Sequence, residues 1–253
     1  LGSMVQIAQL GFYENTEKII NIPMGLITAL GTVMLPRMSN LVVKGDKEAS
    51  RMYIESSMTF VMFMGSALAF GIAGIAPVIA PFFFGEEFAI CGELITWISP
   101  TVLFISWANV IRTQYLVPNK KDRSFIISVS LGALVNLVLN TLLIPVLGAL
   151  GAIIGTIAAE FAVALSQTLM VRKDLDIVQY LKNGWLFILF GAIMFVVVRA
   201  LAHVSGNAAA VLAIQIGAGA LLYLTLSAAY LIISKNKSVM RLLNIFKKKR
   251  TAN

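Results

Sequence analysis

One acidic residue stands in the middle of a long apolar run: Glu160, within Gly155-Thr-Ile-Ala-Ala-Glu160-Phe-Ala-Val. If that run crosses a membrane, the carboxyl costs a few kcal/mol to insert, and such groups face a bundle interior or a wet cavity. Two readings stand. Glu160 is a proton or cation site, or a contact for substrate hydroxyls; or it is a protonated or paired group that locks two helices together. Asn136 and Asn140 are four apart, so on a helix they share one face. They either hydrogen-bond between helices or line a polar cavity.

Four basic residues lie within or beside apolar runs: Lys18, Arg37, Arg112 and Arg199. Arg37 and Arg112 lie toward span ends where a long stem can snorkel to water. Lys18 and Arg199 lie toward the opposite membrane face. Each is a candidate for an anionic head group. The plainer reading pairs Lys18 with Glu14, one helical turn away, and lets Arg199 snorkel. Gly151 and Gly155 make a small-xxx-small pair, which lets helices approach closely.

Other chemistries lack their residues. Cys91 is the single cysteine and His203 the single histidine, so no disulfide within the chain and no Cys/His metal set can form. There is no nucleotide-binding loop, no Ser/His/Asp set and no paired acidic motif in a loop large enough to hold a site. No cofactor, no metal, no enzymatic activity and no ATP-driven transport by this chain alone are expected.

The elements that must carry these residues follow from composition. Hydrophobic residues make up 58% of the 253 residues, charged residues 13%, and the mean hydropathy is +0.87. Soluble domains carry about 25% charged residues. The chain therefore reads as all-α and polytopic, with about 20 apolar residues per crossing. Seven spans are expected, near 19–38, 57–84, 94–117, 125–146, 149–171, 185–204 and 208–233, and an N-terminal helix stub over residues 1–12. The apolar runs are continuous rather than alternating, which excludes a barrel.

The net charge of +8 is mostly topology. Sixteen of the 20 Lys and Arg residues fall in 40–56, 118–125, 172–184 and 235–253. The intervening turns, 85–92, 146–150 and 203–207, carry almost no basic charge. This is the positive-inside pattern. It puts the basic turns and the C-terminus in the cytoplasm and leaves no call for nucleic acid. The stretch 40–56 and the tail 239–250 also mix apolar and basic residues, as short helices lying on the membrane surface do. Pro23 and Pro100 fall inside spans, where each removes a backbone hydrogen bond. An odd span count plus a stub suggests a chain that continues upstream of Leu1.

Two stretches carry a family resemblance. The first is Gly11-Phe-Tyr-Glu-Asn-Thr-Glu-Lys-Ile-Ile-Asn-Ile-Pro23, continuing from Leu26 to Arg37. The second runs from Arg112-Thr-Gln-Tyr-Leu-Val-Pro118 through Asn136, Asn140, Ile144-Pro145 and Gly148 to Glu160. The chain resembles the C-terminal half of bacterial polysaccharide repeat-unit flippases, the O-antigen and capsule exporters. Their superfamily also holds the lipid II flippase and the multidrug and toxin extruders.

The resemblance implies two six-helix bundles around a central cavity that opens alternately to each side. By that implication residues 1–175 form the C-terminal bundle with its first helix truncated, 176–234 an additional helix pair, and 235–253 a basic cytoplasmic tail. It implies the bacterial plasma membrane as location. It implies undecaprenyl-pyrophosphate-linked oligosaccharide as substrate, membrane lipid and the missing N-terminal half as partners, and a polysaccharide polymerase as a further one. Arg112, Glu160, Asn136 and Asn140 are the positions carried over. An ion-coupled multidrug antiporter of the same superfamily is the nearest rival, followed by a membrane-embedded enzyme of polysaccharide assembly and a non-transporting scaffold.

Overall fold

The first helix, α1, runs without interruption from Ile7 to Val43. A three-residue turn at 44–46 leads into α2, Lys47–Phe84. Gly45 takes a left-handed φ of 72° there, and the Asp46 carboxylate caps α2 by accepting from the Ala49 N–H at 3.0 Å. The remaining helices are α3 (Ile90–Ile98), α4 (Thr101–Ile111), α5 (Asp122–Leu147), α6 (Ala149–Val171), α7 (Ile177–Ala200) and α8 (Ala208–Ile233). This computed structural model describes residues 7–233; the expected basic tail 235–253 and the first half of the expected stub lie outside the described residues.

The all-α class and the seven spans are as expected. Seven segments among the described residues are long and apolar enough to cross a membrane. Their bounds differ from the sequence reading in three places. Residues 7–12 are not a separate stub but continue into the first span as one helix. The stretch 40–56 is not a surface helix; it is the end of α1 and the start of α2. Lys, Glu, Ala and Arg are good helix formers, so the charged residues there extend the helices instead of ending them. At 1.5 Å per residue α2 is about 57 Å long, nearly twice the ~30 Å hydrocarbon core.

The third difference is the third span, which is three pieces. Pro100 separates α3 from α4, and the Ser99 hydroxyl donates to the Thr96 carbonyl at 2.9 Å, the acceptor that Pro100 has no N–H to reach. After α4 the backbone widens into a π-turn at Arg112–Leu116, with Val117 N–H bonded to the Arg112 carbonyl at 3.0 Å.

Small residues decide where helices touch, as expected where lipid removes the hydrophobic drive for association. α5 and α6 form a tight hairpin. Its turn is Gly148, at φ 57°, and the Gln9 side chain caps α6 by accepting from the Ala149 N–H at 3.1 Å. A Cβ on Gly151 would sit 2.5 Å from the Leu143 carbonyl oxygen. α7 lies along α2, with Gly184 against Met62, Gly191 against Phe70 and Gly74 against Val198. α8 closes on both: Tyr223 Oη donates to the Phe63 carbonyl at 2.7 Å and Gln215 Nε2 to the Val198 carbonyl at 2.8 Å.

Among the described residues three apolar clusters fill the interior, the smallest joining Met194, Val198 and Tyr223. One joins Met38, Ile54, Met58, Trp107, Ile111 and Phe187. Another joins Ile20, Met24, Ile27, Cys91, Ile95 and Ile153. Leu134, Leu137 and Leu142 of α5 point outward, as a lipid-facing surface requires.

Candidate functional site

The structure brings Arg112 and Glu160 into one cavity, although 48 residues separate them in sequence. The cavity, about 250 Å³, opens between α1, α4, α5 and α6 and is lined by Thr28, Asn109, Arg112, Phe125, Glu160 and Gln167 among others. Glu160 is the twelfth residue of the 23-residue α6, hence at its centre. Arg112 is at the end of the third span, where α4 gives way to the π-turn.

Each cationic and amide group in the cavity is held by a neighbour. Arg112 Nη2 donates to Asn109 Oδ1 at 2.8 Å, and the guanidinium carbon lies 5.8 Å from the Phe125 ring centroid. Asn109 Nδ2 in turn donates to the Ile27 carbonyl of α1 at 3.0 Å. A side chain at Gly31 would collide with Asn109, so that glycine is what lets α1 come this close to α4. Gln167 Nε2 donates to Ser128 Oγ at 3.0 Å, while its Oε1 is buried without a partner. Glu160 is half-buried and makes no hydrogen bond or ion pair among the described residues. Of its two readings, the lock between helices has no partner to support it.

Thr28 joins the cavity to a polar edge on α1. Glu14, Lys18, Asn21, Gly25, Thr28 and Thr32 are all exposed. Their spacing alternates four and three, so they form one line along the helix. Ile22, Leu26 and Val33 flank that line, also exposed. An exposed polar edge on a membrane helix needs water, a polar ligand or another polar surface beside it.

The other expected residues lie elsewhere. Asn136 and Asn140 bond to each other, Asn140 Nδ2 donating to Asn136 Oδ1 at 2.9 Å. Asn140 presses against Gly155 of α6, and its Oδ1 is buried without a partner. Next to it in sequence, Thr156 Oγ1 lies 3.3 Å from Tyr13 Oη of α1. Lys18 donates to Asn15 Oδ1 at 3.0 Å instead of pairing with Glu14. Arg199 does not snorkel; its Nη1 donates to the Ala73 carbonyl of α2 at 3.1 Å. Arg37 bonds the Tyr53 hydroxyl and stacks 4.0 Å from that ring's centroid.

Sequence reasoning missed Asn109, Gln167 and the α1 edge with Thr28 in it. Only the edge had a readable signal, the four-three spacing of its residues. Asn109 and Gln167 are ordinary polar residues in apolar helices until packing gathers them.

The match to known proteins agrees with this architecture. The family model for the lipid II flippase MurJ matches residues 1–241. The chain belongs to the MurJ lipid II flippase family. This is the branch of the exporter superfamily that takes its name from lipid II, beside the repeat-unit exporters that the sequence motifs suggested. Among curated MurJ-family relatives, the lipid II flippase MurJ of Bacillus subtilis is 25% identical over 195 residues, 75% of this chain and 36% of its own length. A probable low-salt glycan biosynthesis flippase of Haloferax volcanii is 27% identical over 166 residues, 64% of this chain and 34% of its own. The chain thus spans about a third of the length of these relatives. A solved MurJ structure in an inward closed conformation superposes with a TM-score of 0.76 at 20% identity, over 90% of this chain and 48% of that one, and shares the fold.

Proposed function

We propose that this chain forms one bundle of a flippase that carries a polyprenyl-pyrophosphate-linked saccharide from the cytoplasmic to the outer leaflet. One observation carries the reading: a cavity between apolar helices that holds Arg112 and Glu160 together and meets the polar edge of α1 at Thr28. Sugars cannot cross hydrocarbon unshielded, and such an edge gives them a wet path. A second bundle facing α1 would close it. The lipid tail stays in the bilayer.

Within this reading Arg112 holds the pyrophosphate, since a guanidinium takes phosphate oxygens in pairs. Its fixing by Asn109 sets the direction of the fork. Glu160 is the coupling group, its proton or a cation altering the charge of the cavity. Asn136 and Asn140 are a second coupling candidate, and Lys18 lies on the path along α1. Residues 1–175 form the bundle, 176–234 an added pair, and 235–253 a cytoplasmic tail. The family match favours a peptidoglycan precursor such as lipid II; an oligosaccharide repeat unit for surface polysaccharide, undecaprenyl-linked and passed on to a polymerase, is the alternative that the quoted motifs support.

The test is depletion of the protein in its own cells, with lipid-linked saccharide assayed in each leaflet. Substrate should build up on the cytoplasmic side, and its identity separates peptidoglycan precursor from repeat unit. A copy carrying Arg112→Ala should fail to restore export, and Arg112→Lys should restore part of it. An unchanged leaflet distribution in depleted cells overturns the proposal.

A further inference from the structure

Arg199 has a use that its position at the end of α7 does not suggest. Pro77 of α2 has no N–H, so the carbonyl four residues earlier, that of Ala73, has no helical donor. Ala73 is buried, 5% exposed, within a membrane-spanning segment. A carbonyl there has no water to turn to. Arg199 Nη1 fills the vacancy at 3.1 Å.

The surroundings are built to bring it there. Gly74 leaves room for Val198, one residue before Arg199, so α7 sits directly on the proline opening; a Cβ on Gly74 would lie 2.7 Å from Val198. From the other side α3 closes in through Gly92, whose Cβ would lie 2.9 Å from the Pro77 Cα. The Thr96 hydroxyl of α3 donates to the Gly92 carbonyl at 2.8 Å or, over a longer 3.4 Å, to the Ala73 carbonyl itself, and it accepts from Arg199 Nη1 at 3.4 Å. Three helices therefore meet at one oxygen that α2 itself leaves without a donor, and Arg199 makes the shorter bond to it.

We propose that Arg199 is a positioning residue that clamps the proline opening of α2 and so fixes the last turns of that helix, residues 78–84, against the α7–α8 pair. Proline openings are where membrane helices bend. With the clamp in place, α7 and α8 move with the outer end of α2. This goes beyond the flippase reading, and it withdraws Arg199 from the candidates for a substrate head group.

The test reads helix position without transport, so its outcome is independent of what the protein carries. In the full chain with Cys91→Ala, spin labels at Phe83→Cys and Ala209→Cys report the distance between the end of α2 and the start of α8; both sites are exposed. The parent should give one narrow distance peak. Arg199→Ala should lose it to a broad distribution. Pro77→Ala restores the missing N–H, so the Arg199→Ala, Pro77→Ala double variant should return to the narrow peak. Should Arg199→Ala not fold, Arg199→Met, which keeps the stem but no donor, should broaden the peak, and Arg199→Lys, which keeps a donor, should hold it. A narrow peak in Arg199→Ala, or a broad one that Pro77→Ala leaves unchanged, overturns the clamp.

Discussion

Glu160 reaches a cavity and touches no partner, which makes its replacement informative. Glu160→Gln removes a charge and breaks no bond among the described residues, so thermal stability should stay within ~0.5 kcal/mol. If Glu160 couples transport, export by the variant should lose its response to external pH. An unchanged pH profile rejects that role and leaves Arg112 as the cavity's working charge. Asn140 is the opposite case. It is packed so tightly on Gly155 that an added methyl has nowhere to go. Gly155→Ala should destabilise by about 1–3 kcal/mol, the usual cost of overpacking. Asn140→Ala in the same chain should recover most of it, because the two side chains would then share the space. Additive losses in thermal melts would show that the two sites are independent.

Glycine positions on the helices separate contact from mere composition. Gly92→Ala would push a methyl to 2.9 Å from the Ala76 carbonyl oxygen and the Pro77 Cα, both backbone and unable to step aside. Gly25 on α1 meets nothing within 4 Å. Gly92→Ala should therefore cost about 1–3 kcal/mol, while Gly25→Ala should be neutral or gain up to ~1 kcal/mol from helix propensity. Equal melting temperatures for the two variants would contradict the packing. Between elements, Lys121 Nζ and Asp174 Oδ2, 2.7 Å apart, tie the start of α5 to the α6–α7 turn. The bridge holds the Asp174 carboxyl below its ordinary range and raises the Lys121 amine above its own. The Asp174 contribution is complete above the unfolded carboxylate value near ~3.9 and fades as pH falls through the lower folded one. The Lys121 contribution is complete below ~10.4 and fades as pH rises through the higher folded one. With side chains 37% and 41% exposed, Asp174→Asn should cost under ~1 kcal/mol at neutral pH, and the difference from the parent should vanish in acid. At this scale the sequence was readable wherever hydropathy marks a boundary. The α5–α6 boundary falls where the expected spans 125–146 and 149–171 meet. The π-turn at Arg112–Leu116 was not, because a change from i→i+4 to i→i+5 bonding leaves no pattern in side-chain type. The last turn of α1 and the first turns of α2, within 40–56, were missed because mixed basic and apolar residues there read as a separate helix on the membrane surface.

At the scale of the whole molecule, the candidate site was only half legible. Glu160, Arg112 and the two asparagines stand out as polar groups in apolar runs, but which of them share a cavity is decided by how α1, α4, α5 and α6 pack, and nothing in the spacing of Arg112 and Glu160 encodes that. Orientation is a different matter, since it depends on charge summed over turns and needs no packing. The basic turns at 44–51, 120–123 and 172–182 all fall at one end of the helical hairpins, and those at 85–92 and 203–207 at the other. The positive-inside rule predicts that the first set is cytoplasmic. In a Cys91→Ala chain, single cysteines at Lys44, Lys173, Glu87 and Ser205 can be probed with a membrane-impermeant maleimide; all four positions are exposed. Glu87→Cys and Ser205→Cys should react in intact cells. Lys44→Cys and Lys173→Cys should react only after permeabilisation. The reverse pattern would turn the bundle over and put the basic turns outside. Arg112, at the end of the third span beside the 118–123 turn, would then meet a pyrophosphate from the outer leaflet. A flippase that loads in the cytoplasm needs that arginine on the inner side, so the labelling tests the role proposed for Arg112 along with the topology.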